Sequence, residues 1–292
     1  MKLPADARNE DEIAYWNGPG GQRWLNRQAL QDALLAPIGE LLLDRAAPRM
    51  GEHVLDVGCG CGATTFALAQ RVAPAGHVVG IDVSAPMLER ARQLAPRGLP
   101  VEFVLADATV HPFELGRSDL LCSRFGVMFF ADPARSFLNI RRGLRAGARL
   151  AFTCWRQARE NPWLMLPLHE AYRHVPRLPE AGPEDPGPFS FADPRRVRVI
   201  LERAGFAAVD AEAIDLRLDL ANGRGLDAAV DTALGMGPAS RALDGQPVEL
   251  RQAAAESIRA ALAPHQVGDS VPLPAAFWVV TAANSRGGAA VS

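Results

Sequence analysis

The stretch from Val54 to Thr65 constrains the fold more than any other part of the chain. Its letters are VLDVGCGCGATT: a short apolar strand carries an acid, glycines follow at every second position, and a helix then begins. Glycine suits a place where a ligand approaches the backbone closely, because a side chain would block that approach. The free N–H groups at the start of the helix attract negative or electron-rich groups. The stretch therefore predicts a strand that ends at a bound ligand.

Such a turn is compatible with two classes of ligand. Read as G-x-G-x-x-A, the segment from Gly58 to Ala63 also fits a dinucleotide fingerprint. The surrounding acids favour another ligand, because the second strand ends at Asp82 and the third at Asp107. The carboxyl ends of strands in an open α/β sheet line one crevice, so these two acids and Asp56 should face the same molecule. S-adenosylmethionine offers the ammonium, ribose hydroxyls and exocyclic amine that three such acids would bind.

Four motifs occur together along the first half of the chain. They are Leu55–Gly62, Gly80–Ser84, Ala106–Ala108 and Ser123–Phe130. With them the chain resembles the class I S-adenosylmethionine-dependent methyltransferases, and within these the bacterial branch related to ubiquinone and menaquinone biosynthesis methyltransferases. The resemblance covers about residues 20–155 and extends more weakly to about residue 283. The first three motifs are specific for the cofactor, and none of them identifies the methyl acceptor.

The alternation of strands and helices predicts an α/β fold, a Rossmann-like seven-stranded sheet with helices on both faces. The resemblance implies that the last strand is antiparallel and inserted between strands five and six. We expect Pro37 to divide two helices and residues 1–12 to be mobile. The expected division is an N-terminal helical lid (1–50), a methyltransferase domain (51–283) with cap insertions at about 157–191 and 221–268, and a flexible tail (284–292).

The resemblance also implies a role for each motif in binding S-adenosyl-L-methionine. Asp56 and the glycine turn would hold the methionyl part, and Asp82 would accept both ribose hydroxyls. Asp107 would accept the adenine amine, and the residues that follow strand four would border the sulfonium. The full set of expected cofactor contacts is Asp56, Gly58, Cys59, Gly60, Gly62, Asp82, Val83, Asp107, Ala108, Ser123, Arg124 and Phe125.

Large apolar side chains near these motifs are candidates for the acceptor pocket, although each could equally serve core packing. Methyl transfer from a sulfonium is an in-line displacement that mainly needs proximity, alignment and exclusion of water. A general base helps only some acceptors, and His111 and Arg124 are weak candidates for a catalytic role. The expected acceptor contacts are Tyr15, Trp16, Trp24, Met128, Trp155 and Trp163.

Composition narrows the class of acceptor. The net charge of −2 gives no electrostatic footprint for nucleic acid, and no apolar run approaches the roughly 20 residues of a membrane span. Four cysteines fit a reducing cytoplasm, and Cys59 and Cys61 lie inside the glycine turn, so we expect no metal site there. The chain has Ser123-Arg124-Phe125-Gly126 where methyltransferases of exocyclic amines carry Asn/Asp-Pro-Pro-Tyr/Phe. We therefore expect methylation of a small molecule at O, N, S or C.

Other functions stay open at this point. An NAD-type oxidoreductase is disfavoured by Asp56 and by the third acid, Asp107. A methyltransferase acting on a macromolecule is disfavoured by the charge. An S-adenosylmethionine-binding protein without methyl transfer would carry the same motifs, so the sequence does not exclude it, and a homodimer is equally open.

Overall fold

The computed structural model describes residues 3–179, 182 and 184–285. A seven-stranded sheet runs through it in the order β3-β2-β1-β4-β5-β7-β6. The first five strands are parallel, and β7 is antiparallel to both of its neighbours, β5 and β6. This confirms the predicted fold class and the place of the last strand. The strands are β1 His53–Val57, β2 His77–Asp82, β3 Val101–Leu105, β4 Ser118–Arg124, β5 Leu144–Trp155, β6 Phe206–Asp219 and β7 Pro272–Asn284.

Helices cover both faces of the sheet because its central strands are apolar on both sides. Successive side chains of a strand point to opposite faces. Accordingly, Leu55 packs in one hydrophobic cluster with Phe137, whereas its neighbour Val54 packs in another with Leu68. The described helices are α1 Glu10–Asn17, α2 Pro19–Asn26, α3 Gln28–Ala46, α4 Ala63–Val72, α5 Ala85–Leu94, α6 Pro133–Arg142, α7 Pro162–Ala171, α8 Pro194–Arg203, α9 Gly225–Gly235, α10 Gly237–Ala242 and α11 Val248–Leu262.

Pro37 does not divide two helices, contrary to the prediction. It lies inside α3, which continues unbroken to Ala46. A proline inside a helix removes one backbone hydrogen bond and costs about 3 kcal/mol. Ile38 and Leu42 on the same helix are fully buried, and each such side chain contributes about 1.5–3 kcal/mol. Packing of the apolar face outweighs the local penalty.

The two predicted insertions pack on each other. Leu168 and Ala171 of α7, from the first insertion, form one buried cluster with Ala239 of α10 and Ala254 of α11, from the second. Sequence patterns do not reveal this contact, because about 70 residues separate the two helical segments along the chain. Through this cluster the two segments form one packed unit.

The last strand extends beyond its predicted end. Asn284 belongs to β7, is buried, and donates hydrogen bonds of 3.0 and 2.9 Å from its Nδ2 to the carbonyls of Leu144 and Arg145. The expected flexible tail from residue 284 is therefore wrong at its first position, because this side chain pins the strand end to β5. Residues 286–292 of that predicted tail lie outside the described residues. Within the described part of the chain, no helix is long and apolar enough to cross a bilayer.

Candidate functional site

A cavity of about 550 Å³ opens where β1, β2 and β4 end. Its walls come from the strand ends, from the N-terminal helices and from both insertions, and its volume is typical of small-molecule sites. Most of the residues predicted for the site line this cavity. They are Gly58, Cys59, Gly60, Asp82, Val83, Asp107, Ala108, Arg124 and Phe125 from the cofactor set, and Tyr15, Trp16, Trp24, Met128, Trp155 and Trp163 from the acceptor set.

The glycine turn has the close approach that the sequence predicted. Gly58 has a φ of +69°, and a Cβ built on it would lie 2.6 Å from the Cα of Gly126. A Cβ on Gly60 would lie 3.0 Å from the Cε of Met87. Any side chain at the first position would push apart the ends of β1 and β4, so this turn keeps bare backbone facing the cavity.

Asp82 retains hydrogen-bonding capacity that matches a vicinal diol. Its Oδ2 accepts from the Gly60 N–H and its Oδ1 from the Ser84 N–H, each at 2.8 Å. A carboxylate has about four acceptor positions, so one is left on each oxygen. Burial raises the pKa of this carboxyl above its ordinary value. The two remaining positions, one on each oxygen, suit the two adjacent hydroxyls of a ribose.

Asp107 is held by the N-terminal segment, which the sequence analysis expected to be mobile. Its Oδ2 accepts from the Asp6 N–H and from the Asn9 side-chain amide, both at 2.9 Å, while Thr109 N–H donates to Oδ1 at 2.8 Å. Asp6 and Asn9 are both buried. The expectation of a mobile start is therefore wrong for these positions, and Asp107 keeps about one free acceptor position.

Four predicted site residues lie behind the cavity wall instead of on it. Asp56 is fully buried, its Oδ2 accepts from Thr65 Oγ1 at 2.7 Å, and burial raises the pKa of its carboxyl to about 6. The Oγ of Ser123 accepts from the Gly126 N–H at 3.2 Å. The Asp56 carboxylate thus ties β1 to the first turn of α4, and the Ser123 hydroxyl ties the end of β4 to the segment that follows it. Gly62 has a φ of +89° and serves as the residue before α4.

His111 is the fourth of these residues. Its ring packs edge-on against Phe113 with centroids 4.8 Å apart, and burial lowers the pKa of its imidazole. The side-chain amide of Asn139 donates to its carbonyl at 2.9 Å, which fixes the loop away from the cavity. The structure thus does not bring this histidine to the site.

Asp32 is a cavity residue that sequence reasoning missed. It belongs to α3, and its Oδ1 lies 3.3 Å from the guanidinium Nη2 of Arg124 at the end of β4. Burial, followed in size by the charge of Asp32, raises the pKa of the Cys61 thiol to about 12, which reflects how close Asp32 lies to the glycine turn. In the sequence, Asp32 appears only as an acid between apolar positions of a helix, and an acid in that setting usually faces solvent.

Aromatic rings form the part of the cavity beyond the glycine turn. Phe125 has a φ of +62°, a strained backbone for a bulky residue, and its ring stacks on Trp155 with centroids 4.0 Å apart. Trp163 follows at 5.1 Å from Trp155. On the other side, Trp16 packs edge-on against Phe129 at 5.3 Å. The site therefore joins a polar crevice to an apolar chamber with aromatic walls.

Residues 54–147 match a family model described as a methyltransferase domain. The chain is 38% identical over 119 residues to aklanonic acid methyltransferase DauC of Streptomyces sp. (strain C5), which covers 40% of this chain and 54% of that protein. It is 39% identical over 119 residues to nocamycin O-methyltransferase of Saccharothrix syringae, which covers 40% of this chain and 42% of that protein. The chain thus spans about half or less of the length of these curated relatives.

The fold is similar to that of the YcgJ protein from Bacillus subtilis, with a TM-score of 0.56 over 85% of this chain and 98% of that chain. Sequence identity between the two is 17%, so this likeness concerns the fold alone. The matched domain, the four motifs and the position of the antiparallel β7 agree with one another. Residues 54–147 are therefore a methyltransferase domain.

Proposed function

We propose that this protein transfers a methyl group from S-adenosyl-L-methionine to a small organic acceptor. One observation carries the proposal: a single cavity contains the glycine turn with Asp32, Asp82 and Asp107 at one end and an aromatic chamber at the other. Two curated relatives that share this region are named as methyltransferases, one of them an O-methyltransferase. The methyltransferase domain over residues 54–147 and the composition of the cavity together support a donor and an acceptor that meet in one enclosed space.

The residues present fit the cofactor. The Gly58 and Gly60 backbone leaves a cradle that a Cβ would fill, and Asp82 has one free acceptor position on each oxygen for the ribose hydroxyls. Asp107 keeps an acceptor position for the adenine amine. For the methionyl part we assign Asp32 to the ammonium and Arg124 to the carboxylate, in place of the enclosed Asp56. When bound, the cofactor supplies a methyl group already activated by its sulfonium.

We propose that the chain itself contributes mainly positioning and exclusion of water. Phe125 lies directly after Arg124 and therefore between the polar crevice and the aromatic chamber. No histidine of the described residues lines the cavity, so we assign no imidazole base to the reaction. Apolar walls remove water from around the acceptor, which favours an in-line displacement between two held reactants.

The test is calorimetric titration with S-adenosylmethionine and, separately, with NADH. We expect the sulfonium cofactor to bind and the Asp82→Asn variant to lose at least about tenfold in affinity, because an amide cannot accept on both sides. Glu102→Gln is the control, since Glu102 lies exposed on the neighbouring strand β3. Binding of NADH without S-adenosylmethionine would overturn the proposal in favour of an oxidoreductase.

Transfer itself needs a second measurement. Formation of S-adenosylhomocysteine with a panel of phenols, enols, amines and thiols should appear above the background without acceptor. Cofactor binding with no product from any acceptor class would favour the alternative, a cofactor-binding protein without methyl transfer.

A further inference from the structure

Two guanidinium groups lie beside the same tyrosine ring on the wall of the cavity. The Cζ of Arg241 in α10 lies 5.3 Å from the centroid of the Tyr15 ring, and the Cζ of Arg23 in α2 lies 5.6 Å from it. All three residues line the cavity. Cations are attracted to the face of an aromatic ring, so this packing holds two positive charges close to one another. We call Tyr15, Arg23 and Arg241 the basic corner of the cavity.

The basic corner has hydrogen-bond donors that are left unused within the described part of the chain. The Arg241 side chain is exposed and makes neither a hydrogen bond nor an ion pair with a described residue. The Tyr15 hydroxyl accepts from Arg23 Nη2 at 3.1 Å, and its own proton has no acceptor among those residues. A guanidinium offers five N–H donors and a phenol offers one. Because Arg241 is exposed and Tyr15 is only half-buried, a molecule in the cavity can reach these donors.

Two acids lie near the basic corner, and neither is paired with Arg241. Asp244 pairs with Arg23 at 2.7 Å. Glu12 also lines the cavity, and the charge of Arg241 lowers its pKa, but burial is the larger effect and raises the pKa of this carboxyl. Burial therefore disfavours the charged form of Glu12, and Arg241 keeps a positive charge that a ligand can meet.

Aromatic contacts connect the basic corner to the aromatic chamber. Tyr15 packs edge-on against Trp16 with ring centroids 5.3 Å apart, and Trp16 packs edge-on against Phe129 at the same distance. Trp16 and Phe129 both line the cavity. The wall thus changes from apolar rings to cationic donors within two aromatic contacts. A molecule that matches this wall has an apolar body and a negative group at one end.

We infer that the methyl acceptor carries an anionic group, such as the carboxylate of a small organic acid, and that this group binds to Arg241 and Tyr15. The inference rests on the proposed function for the identity of the ligand as the acceptor. Hydrogen bonds between a guanidinium and an anion are charge-assisted and stronger than neutral ones. Arg241 is then a specificity-determining residue that selects acids over neutral molecules of the same apolar shape.

The experiment compares two fluorescent probes that share one apolar body. 8-Anilinonaphthalene-1-sulfonate carries a negative charge, and N-phenyl-1-naphthylamine carries none. Titrations of the wild type and of Arg241→Gln, with and without saturating S-adenosylhomocysteine, give the dissociation constant of each probe. We expect Arg241→Gln to weaken the sulfonate about 5- to 10-fold and to leave the neutral probe within about twofold. Tyr15→Phe should weaken the sulfonate about threefold, because it removes one neutral donor.

Arg251→Gln is the matched control. Arg251 is an exposed arginine of α11 that does not line the cavity. Its substitution removes the same charge from the protein, so both probes should bind as they do to the wild type. Both arginine variants should also keep the melting temperature of the wild type, since neither guanidinium has a hydrogen-bond partner among the described residues.

Three results would overturn the inference. A sulfonate that fails to bind the wild type, or that binds Arg241→Gln equally well, would show that the basic corner holds no anion. Equal weakening of both probes would mean that Arg241 acts through packing alone. Equal weakening of the sulfonate by Arg251→Gln would indicate a general attraction to surface charge. Failure of S-adenosylhomocysteine to bind would instead count against the proposed function, because the titrations without it still measure the basic corner.

Discussion

Asp32 of α3 and Arg124 at the end of β4 form an ion pair of 3.3 Å inside the cavity, next to the glycine turn. Both side chains are largely shielded from water. A carboxylate and a guanidinium held side by side can bind a zwitterion, because the carboxylate binds its ammonium group and the guanidinium binds its carboxylate group. Asp56, the acid that the motif itself supplies, lies behind the wall and bonds to Thr65. The pair is therefore our candidate for the methionyl end of the cofactor.

Asp32→Asn should weaken S-adenosylmethionine binding by about tenfold or more, because it removes the charge opposite the ammonium. It should leave 5′-methylthioadenosine unaffected, since that compound lacks the amino-acid part. Calorimetry with both ligands checks this. The control is Glu40→Gln, an exposed acid of the same helix that pairs with Arg71. Parallel loss of both ligands would indicate a distorted site and contradict the assignment.

Gly58→Ala should destabilise the protein more than Gly51→Ala. Both residues have a positive φ, but only at Gly58 would the new Cβ meet backbone, the Cα of Gly126 at 2.6 Å. Gly51 has nothing within 4 Å, so its substitution reports the strain of the backbone conformation alone, about 1 kcal/mol. Urea unfolding of the two variants measures the difference. Equal free energies of unfolding would show that the strand ends can yield at no cost.

Asp56→Asn should stabilise the ligand-free protein at pH 8 but not at pH 4.5. Burial raises the folded-state pKa of this carboxyl from 3.8 to about 6. The folded chain therefore holds a proton that the unfolded chain releases, and this group lowers stability as the pH rises from about 4 to 6. Above that window the penalty approaches about 3 kcal/mol, of which an uncharged amide should recover about 1–3 kcal/mol.

Urea unfolding at the two pH values decides this prediction. The wild type at the same pH is the reference for each measurement. If Asp56→Asn raised the free energy of unfolding equally at both pH values, the stabilisation would not come from removal of the buried charge.

Asn9→Ala should release the N-terminal segment from Asp107. It removes bonds from the Asn9 amide to Asp107 and Thr109 and the bond that its Oδ1 accepts from the Ala131 N–H. We expect amide exchange in residues 3–17 to accelerate at least about tenfold, and cofactor affinity to fall, because the segment borders the cavity. Arg8→Ala is the control, since its ion pairs with Asp6 and Asp132 involve a half-exposed guanidinium. Unchanged exchange in Asn9→Ala would contradict the role of this residue.

The turn between β1 and α4 shows what local sequence can specify. The alternating glycines indicate a backbone that another group approaches closely, and the structure has such an approach at Gly58. The crevice at the ends of β1, β2 and β4 was likewise predicted from the sequence. The carboxylates at the strand ends were also predicted from neighbouring residues. Asp82 keeps one free acceptor position on each oxygen, as binding of two ribose hydroxyls requires. Each strand was predicted from its own run of apolar residues, and the predicted seven-stranded sheet is confirmed.

The errors arose where a long-range contact overrides a local preference. Pro37 would break an isolated helix, but burial of Ile38 and Leu42 keeps α3 continuous. The N-terminal segment would be mobile by itself, but the side-chain amide of Asn9 donates a hydrogen bond to the buried Asp107, 98 residues away in the sequence.

The sequence by itself predicted the individual strands and the glycine turn, because each depends on residues that are close together in the chain. Its resemblance to known methyltransferases implied the place of β7 and the class of cofactor. Only the tertiary structure decided that Asp32 meets Arg124, that Asn9 meets Asp107 and that Arg23 and Arg241 lie beside Tyr15. Charge pairing and hydrogen bonding act over a few ångströms in space, so their partners emerge only when the packed sheet and helices bring distant segments together.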